Sequence, residues 1–246
     1  MFIVKINQIY LLMMKNKIII TVVISLLIGF TACKENGFTV KGKFENNHYT
    51  YCVLDEVRPY EIAALDTILL INNGFSYFVN TIEKGFYRIR FDDTTFITFI
   101  AGDKDNISLT GDLLCIKNTQ NITGNEESKL FLEVNRKVHE MYLITDSLAK
   151  IFVAYKDTEA FDSIRTQLDS CYYHNFEYYK NYLRDFIIQH PNKLASISAF
   201  YQKIGHRNFF SDIEDKELLD KMIKELSIAY PSNQHVIALK ERLEHD

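Results

Sequence analysis

Two short patterns set a reactive or metal-ligating side chain beside a basic one at helical spacing. Cys171-x-x-His174 puts a thiol and an imidazole one helical turn apart, which is half of a metal site. Ser147-Leu148-Ala149-Lys150 has the Ser-x-x-Lys spacing in which a lysine activates a serine. Neither pattern is completed elsewhere. No second ligand pair follows, and Cys171 falls on the apolar side of its periodic run, so a core cysteine beside a surface histidine is the favoured reading. The Ser-Asp-Asn and Lys-Thr-Gly companions of Ser-x-x-Lys enzymes are missing. Asp92-Asp93 and Asp103-x-Asp105 offer too few oxygens at regular spacing for a calcium loop and read as solvated turns. No His-Glu-x-x-His, Gly-x-Ser-x-Gly or Walker-type loop occurs. The expectation is a chain without catalytic residues, metal or cofactor.

The most unusual stretch is aromatic. Tyr172, Tyr173, Tyr178, Tyr179 and Tyr182 fall within eleven residues of a helical run. Three turns of helix cannot aim all five at one seam. Either they pack on neighbouring elements, or they form a binding surface for a protein or glycan, since tyrosine is enriched in interfaces. These five are the candidate binding residues.

Two kinds of period must position them. From Phe38 to Ile122 apolar residues alternate, with Phe38, Val40, Gly42 and Phe44 on one face, and Asn/Gly/Asp turn signals recur about every ten residues. Asn73-Gly74 is the strongest hairpin cue, because both residues tolerate positive φ. This segment, 33–124, reads as an antiparallel β-sandwich or barrel. From 125 to 246 the period is helical. Leu130, Val134, Val138, Met141, Leu148 and Phe152 make one run, and Phe161 through Phe176, Tyr179, Leu183 and Ile187 a second. A turn at Lys156-Asp157-Thr158 makes them a long α-helical hairpin, with shorter helices near Ala195–Gly205, Asp215–Ala229 and Asn233–Leu243. The fold class is α+β.

Cys52, Cys115 and Cys171 are widely spaced and form no Cys-x-x-Cys. Cys52 and Cys115 both fall in strand-like segments and are able to pair, although buried free thiols are the favoured reading.

The N-terminus reads as an address. Met14-Lys15-Asn16-Lys17 precedes Ile18 to Ala32, a charge-free stretch shorter than the roughly 20 residues a membrane span needs. Residues 1–32 are therefore expected to be a signal peptide with Met14 as its start. Thr31-Ala32-Cys33 resembles a bacterial lipobox, with Phe30 in place of the usual leucine, which makes Cys33 the expected lipidation site and the link to the membrane. From Cys33 onward, 25 basic residues face 32 acidic ones. That acidic balance argues against a nucleic-acid partner, which favours a clustered basic face.

A further set of residues carries a resemblance. Phe38-x-Val40-x-Gly42, Leu65-Asp66-Thr67-Ile68, Asn73-Gly74-Phe75-Ser76-Tyr77, Tyr87-Arg88-Ile89 and Ile122-Thr123-Gly124-Asn125 occur in that order. His190-Pro191-Asn192-Lys193-Leu194-Ala195-Ser196 and Tyr230-Pro231-Ser232-Asn233 follow. The order resembles the N-terminal domain of unknown function and helical connector of Bacteroidetes lipoproteins of the TlpA/ResA thiol-disulfide oxidoreductase type. In that family a thioredoxin-like domain bearing Cys-x-x-Cys comes next, and no position here matches its active site. The resemblance implies a lipid-anchored envelope protein, expected at the outer membrane, whose non-catalytic body binds or positions a thioredoxin-like protein. Its alternatives are the remnant of such an oxidoreductase and a glycan- or nutrient-binding surface lipoprotein.

Overall fold

The computed structural model describes residues 36–245; the expected signal peptide and Cys33 lie outside them. The chain from Asn36 onward is one compact unit. It opens with strands β1 (Gly37–Glu45), β2 (Tyr51–Val57), β3 (Ile62–Leu69), β4 (Gly74–Asn80), β5 (Gly85–Arg90), β6 (Phe96–Ala101) and β7 (Asn106–Asp112). A one-turn helix α1 (Ile116–Thr119) and strand β8 (Asn121–Thr123) complete two four-stranded sheets, ordered β4-β1-β7-β8 and β3-β2-β5-β6. They do not close into a barrel. Their inner faces share one apolar cluster that includes Phe38, Val40 and Phe44 from the first sheet and Leu54, Ile89 and Phe99 from the second. Alternation along β1 buries Phe38, Val40, Gly42 and Phe44 together, as the period of two requires. The architecture is an open sandwich, not a barrel.

Three local corrections follow. β1 runs parallel to β7, the one parallel pairing between named strands, and alternation of side chains does not distinguish it from an antiparallel one. The hairpin after β3 turns on Asn72 and Asn73, both at positive φ, with Gly74 already in β4. Gly74 is needed there for space: a Cβ would lie 2.5 Å from the Gly42 carbonyl oxygen. Leu113–Ile116 forms a turn entering α1, so Cys115 lies in no strand; it is exposed and free, and the Cys52–Cys115 pairing does not form.

The helices begin with α2 (Glu126–Tyr155) and α3 (Phe161–Gln189), the expected hairpin, joined through residues 156–160. Then come α4 (Ala195–Phe200), a small hairpin of β9 (Lys203–Ile204) and β10 (Arg207–Asn208), α5 (Lys216–Ala229) and α6 (Gln234–His245). Gly205 ends a helix in the sequence reading. Instead, at φ +59, it opens the two-residue turn Gly205-His206 between β9 and β10, a place where glycine carries no steric penalty.

Helices and sandwich meet on the outer face of the second sheet. Phe86 and Ile100 point away from the sandwich interior into the helical cluster of Phe131, Val134, Phe186 and Phe200. Asn125 caps α2 by accepting from Ser128 N–H at 2.8 Å, and its amide donates to the Ile100 carbonyl. On the same outer face Asp55, only 1% exposed, accepts from Arg88 and Arg90 at 2.6–3.0 Å. Burial alone would raise the Asp55 pKa; hydrogen bonds and charge from the two arginines outweigh it and hold the carboxyl below its ordinary value.

Glu127, 2% exposed, is the hub of the helical region. It accepts from Leu194 N–H and Ala195 N–H at 3.2 Å each and from the Tyr230 hydroxyl at 2.7 Å. Burial, with Glu127 beside it, raises the Tyr230 pKa. Asn233, in turn, donates to the Lys84 carbonyl at 2.6 Å. The two connector stretches quoted above, around Pro191 and Pro231, are thus held at the start of α2 and against the sandwich.

Candidate functional site

The tyrosine run lies on α3 and divides into two groups, each wrapped around one cation. Tyr178, Tyr179 and Tyr182 turn toward α2, where Lys137 Nζ stands 5.6, 5.5 and 5.7 Å from their ring centroids. These are cation–π distances. Lys137 also pairs with Glu140 at 2.7 Å, a hydrogen bond that raises the lysine's pKa. The Tyr182 hydroxyl donates to Glu133 at 2.7 Å and that of Tyr179 to Glu140 at 3.3 Å. Burial first, and Glu133 second, raise the Tyr182 pKa, so the phenol remains a donor. Tyr179 is buried at 4% exposure, whereas Tyr178 is 54% exposed. An open groove of about 630 Å³ runs beside them, lined also by Lys129, Glu133, Arg136 and Thr123.

Tyr172 and Tyr173, nearer the start of α3, meet the β9–β10 hairpin instead. Arg207 Cζ lies 5.9 and 5.2 Å from their centroids and 3.9 Å above the ring of Phe176. Phe176 itself stacks on Phe209 at 4.8 Å. The five candidates therefore do not form one surface. Tyr172 and Tyr179, seven residues apart, share a face of α3 but lie about two turns apart along it, so each meets a different cation. Neither Lys137 nor Arg207 was marked by the sequence. Lys137 sits in a periodic run as an ordinary polar position, and Arg207 is legible only once Gly205-His206 is read as a hairpin turn.

The reactive patterns separate in the same way. The Ser147 hydroxyl donates to the Leu143 carbonyl and Lys150 pairs with Asp146, so the two form no dyad. Cys171 is exposed, not in the core, because α3 turns that position toward solvent. Among the described residues no group of three His, Cys, Asp or Glu side chains is placed to hold a metal. The acidic turns are structural: Asp92 accepts from Thr94 and Thr95 N–H and from the Tyr49 hydroxyl, and Asp105 from Gly102 N–H and Asn125. Cys52 is buried, and burial pushes its thiol up to about 12, which suppresses the thiolate.

The distal half of the α2–α3 hairpin is the other conspicuous surface. Its seam is buried as far as Met141; beyond it Ile144, Leu148, Phe161, Ile164 and Leu168 are half-buried between two helices only. Residues 151–160 are all exposed, including Ile151, Phe152, Val153 and Tyr155. About fourteen residues of each helix extend past Met141, roughly 20 Å at 1.5 Å per residue. Among the described residues no helix is long and apolar enough to cross a membrane. No protein-family model matches this chain, and no curated protein or solved structure matches it.

Proposed function

We propose that this is a non-catalytic, lipid-anchored protein of the cell envelope, held at the outer membrane through Cys33, whose body binds or positions a thioredoxin-like partner. The observation that carries the binding role is the hairpin arm, whose outer end exposes Ile151, Phe152, Val153 and Tyr155 while its base is packed into the body. An exposed apolar cluster at the end of an arm is the kind of patch that marks a contact surface. The lipobox-like Thr31-Ala32-Cys33 supports the anchor, and the ordered resemblance from Phe38 to Asn233 supports the partner class. The test has two arms. Metabolic labelling with palmitate should mark the protein and be lost in Cys33→Ala. The purified protein should bind envelope thioredoxin-like proteins and give no turnover in insulin reduction. Labelling that persists in Cys33→Ala would remove the anchor, absent binding would remove the partner, and turnover would make the protein an enzyme.

A second reading rests on a separate observation. The groove beside Tyr178 and Tyr182 combines a half-exposed aromatic ring with Glu133, Glu140 and Arg136, the mixture of flat apolar face and hydrogen-bonding groups that suits a glycan. A glycan array without hits would dispose of it.

A further inference from the structure

On the far side of α3 from that groove lies a cavity of about 770 Å³, within the size range of small-molecule sites. Phe176, Phe209 and Phe210 give it apolar walls; Arg207, Tyr201 and Arg242 give it polar ones. Two facts set it apart from a passive cleft. Arg207 is exposed and stands with its Cζ 3.9 Å from the centroid of Phe176, yet among the described residues it has no acidic partner. Tyr201 Oη and Asp212 Oδ2 are buried near each other without a well-aligned hydrogen bond, and Oδ2 itself is ion-paired with the Arg242 guanidinium at 2.8 Å. Buried polar atoms are nearly always satisfied; Oδ2 has Arg242, which leaves the Tyr201 hydroxyl for a ligand group or a water.

The charges select the ligand. Of the three basic residues lining the cavity, Lys180 is engaged by Asp215 and Arg242 by Asp212. Arg207 alone is uncommitted, and Glu177 and Glu214 stand exposed at the rim. One uncommitted guanidinium balances one negative charge. Its planar fork matches a carboxylate in two parallel hydrogen bonds. A phosphate monoester, at about −1.5 to −2, would bring more charge than this site offsets and would meet the rim acids.

We infer that the cavity between α3, the β9–β10 hairpin and the start of α5 binds an organic monocarboxylate with an apolar body, its carboxylate on Arg207 and a second polar group on the Tyr201 hydroxyl. The inference goes beyond the proposed function and does not depend on the hairpin arm or on Cys33. Saturation-transfer NMR on the full chain tests it with benzoate, N-acetyl-L-alanine and N-acetyl-L-phenylalanine, against N-acetyl-L-phenylalaninamide and inorganic phosphate. At least one carboxylate should show transfer, strongest for the aromatic ones, and the amide none. Arg207→Gln should weaken binding at least tenfold and Arg207→Lys severalfold, because the lysine keeps the charge and loses the fork. Tyr201→Phe should weaken it severalfold while the unfolding midpoint holds or rises. Equal transfer to acid and amide, phosphate binding tighter than every carboxylate, no carboxylate binding at all, or an unchanged affinity in folded Arg207→Gln would each overturn the inference.

Discussion

Ser128 Oγ stands opposite the main chain of Ile100, donating to its carbonyl at 2.6 Å and accepting from its N–H at 3.0 Å. Ile100 belongs to β6, an edge strand of the second sheet, so one hydroxyl takes the place of a neighbouring strand. Ser128→Ala leaves the Ile100 N–H buried and unpaired, while the carbonyl keeps the Asn125 amide at 2.8 Å. Such a loss costs about 1–3 kcal/mol. The urea midpoint should fall accordingly with an unchanged m-value.

Glu127 joins three elements through one carboxylate. Glu127→Gln removes the charge and turns one acceptor into a donor facing the Ala195 N–H, so it should destabilise by about 1–3 kcal/mol. Tyr230→Phe should cost less. A double-mutant cycle between the two positions by thermal unfolding should return a coupling of at least about 0.5 kcal/mol; strict additivity would contradict the shared hydrogen bond.

Acidification should weaken the fold in two stages. Burial lowers the His235 pKa against the opposing Val57 carbonyl and Glu56. As pH falls through about 6.5, the ordinary histidine value, the unfolded chain takes up a proton that the folded chain resists, and stability drops. The folded pKa of Asp55 also lies below its ordinary value of about 3.9. Its contribution is present above that value and is lost as pH falls through the folded one. Urea midpoints measured from pH 7 to pH 3 check both stages: His235→Gln should flatten the first and Asp55→Asn the second.

The three described thiols should differ sharply in reactivity. Maleimide labelling of the native protein, read residue by residue by mass spectrometry, should mark Cys115 and Cys171. Cys52 should label only after denaturation, because burial holds its pKa near 12. Labelling of native Cys52 at a comparable rate would show that the sandwich opens locally.

At the outer end of the hairpin, Phe152→Ser with Val153→Ser should cost about 0.5–1.5 kcal/mol, the worth of the Phe152–Phe161 edge-to-face contact at 5.2 Å. The same pair should abolish association with the thioredoxin-like partner. A large loss of stability instead would assign these side chains to packing.

Much of this architecture is legible in the residues. Alternation from Phe38 and helical spacing from Leu130 carry the two halves, because burial on one face is what each period encodes. What fails is what period does not carry. Strand direction is one case, as in β1 beside β7; Asn72 is another, since asparagine in the left-handed region does the work that glycine was expected to do. Cys171 looked apolar by its spacing, yet the outer part of a two-helix arm has no third layer to bury it. The tyrosines mark α3 but not Lys137 or Arg207, because each cage is closed by a residue distant in sequence.

The parallel pairing of β1 with β7 has a consequence for how the chain assembles. β1 lies between β4 and β7, and its second neighbour begins 67 residues later, at Asn106 opposite Thr39. In a polypeptide delivered N-terminus first, β1 must wait for β7 to emerge before its second row of hydrogen bonds can close. Contacts this distant in sequence slow folding, since loop closure precedes any gain from pairing. The sandwich is therefore exposed as a half-built sheet during synthesis, and a chaperone acting on it would meet β1 with one edge open.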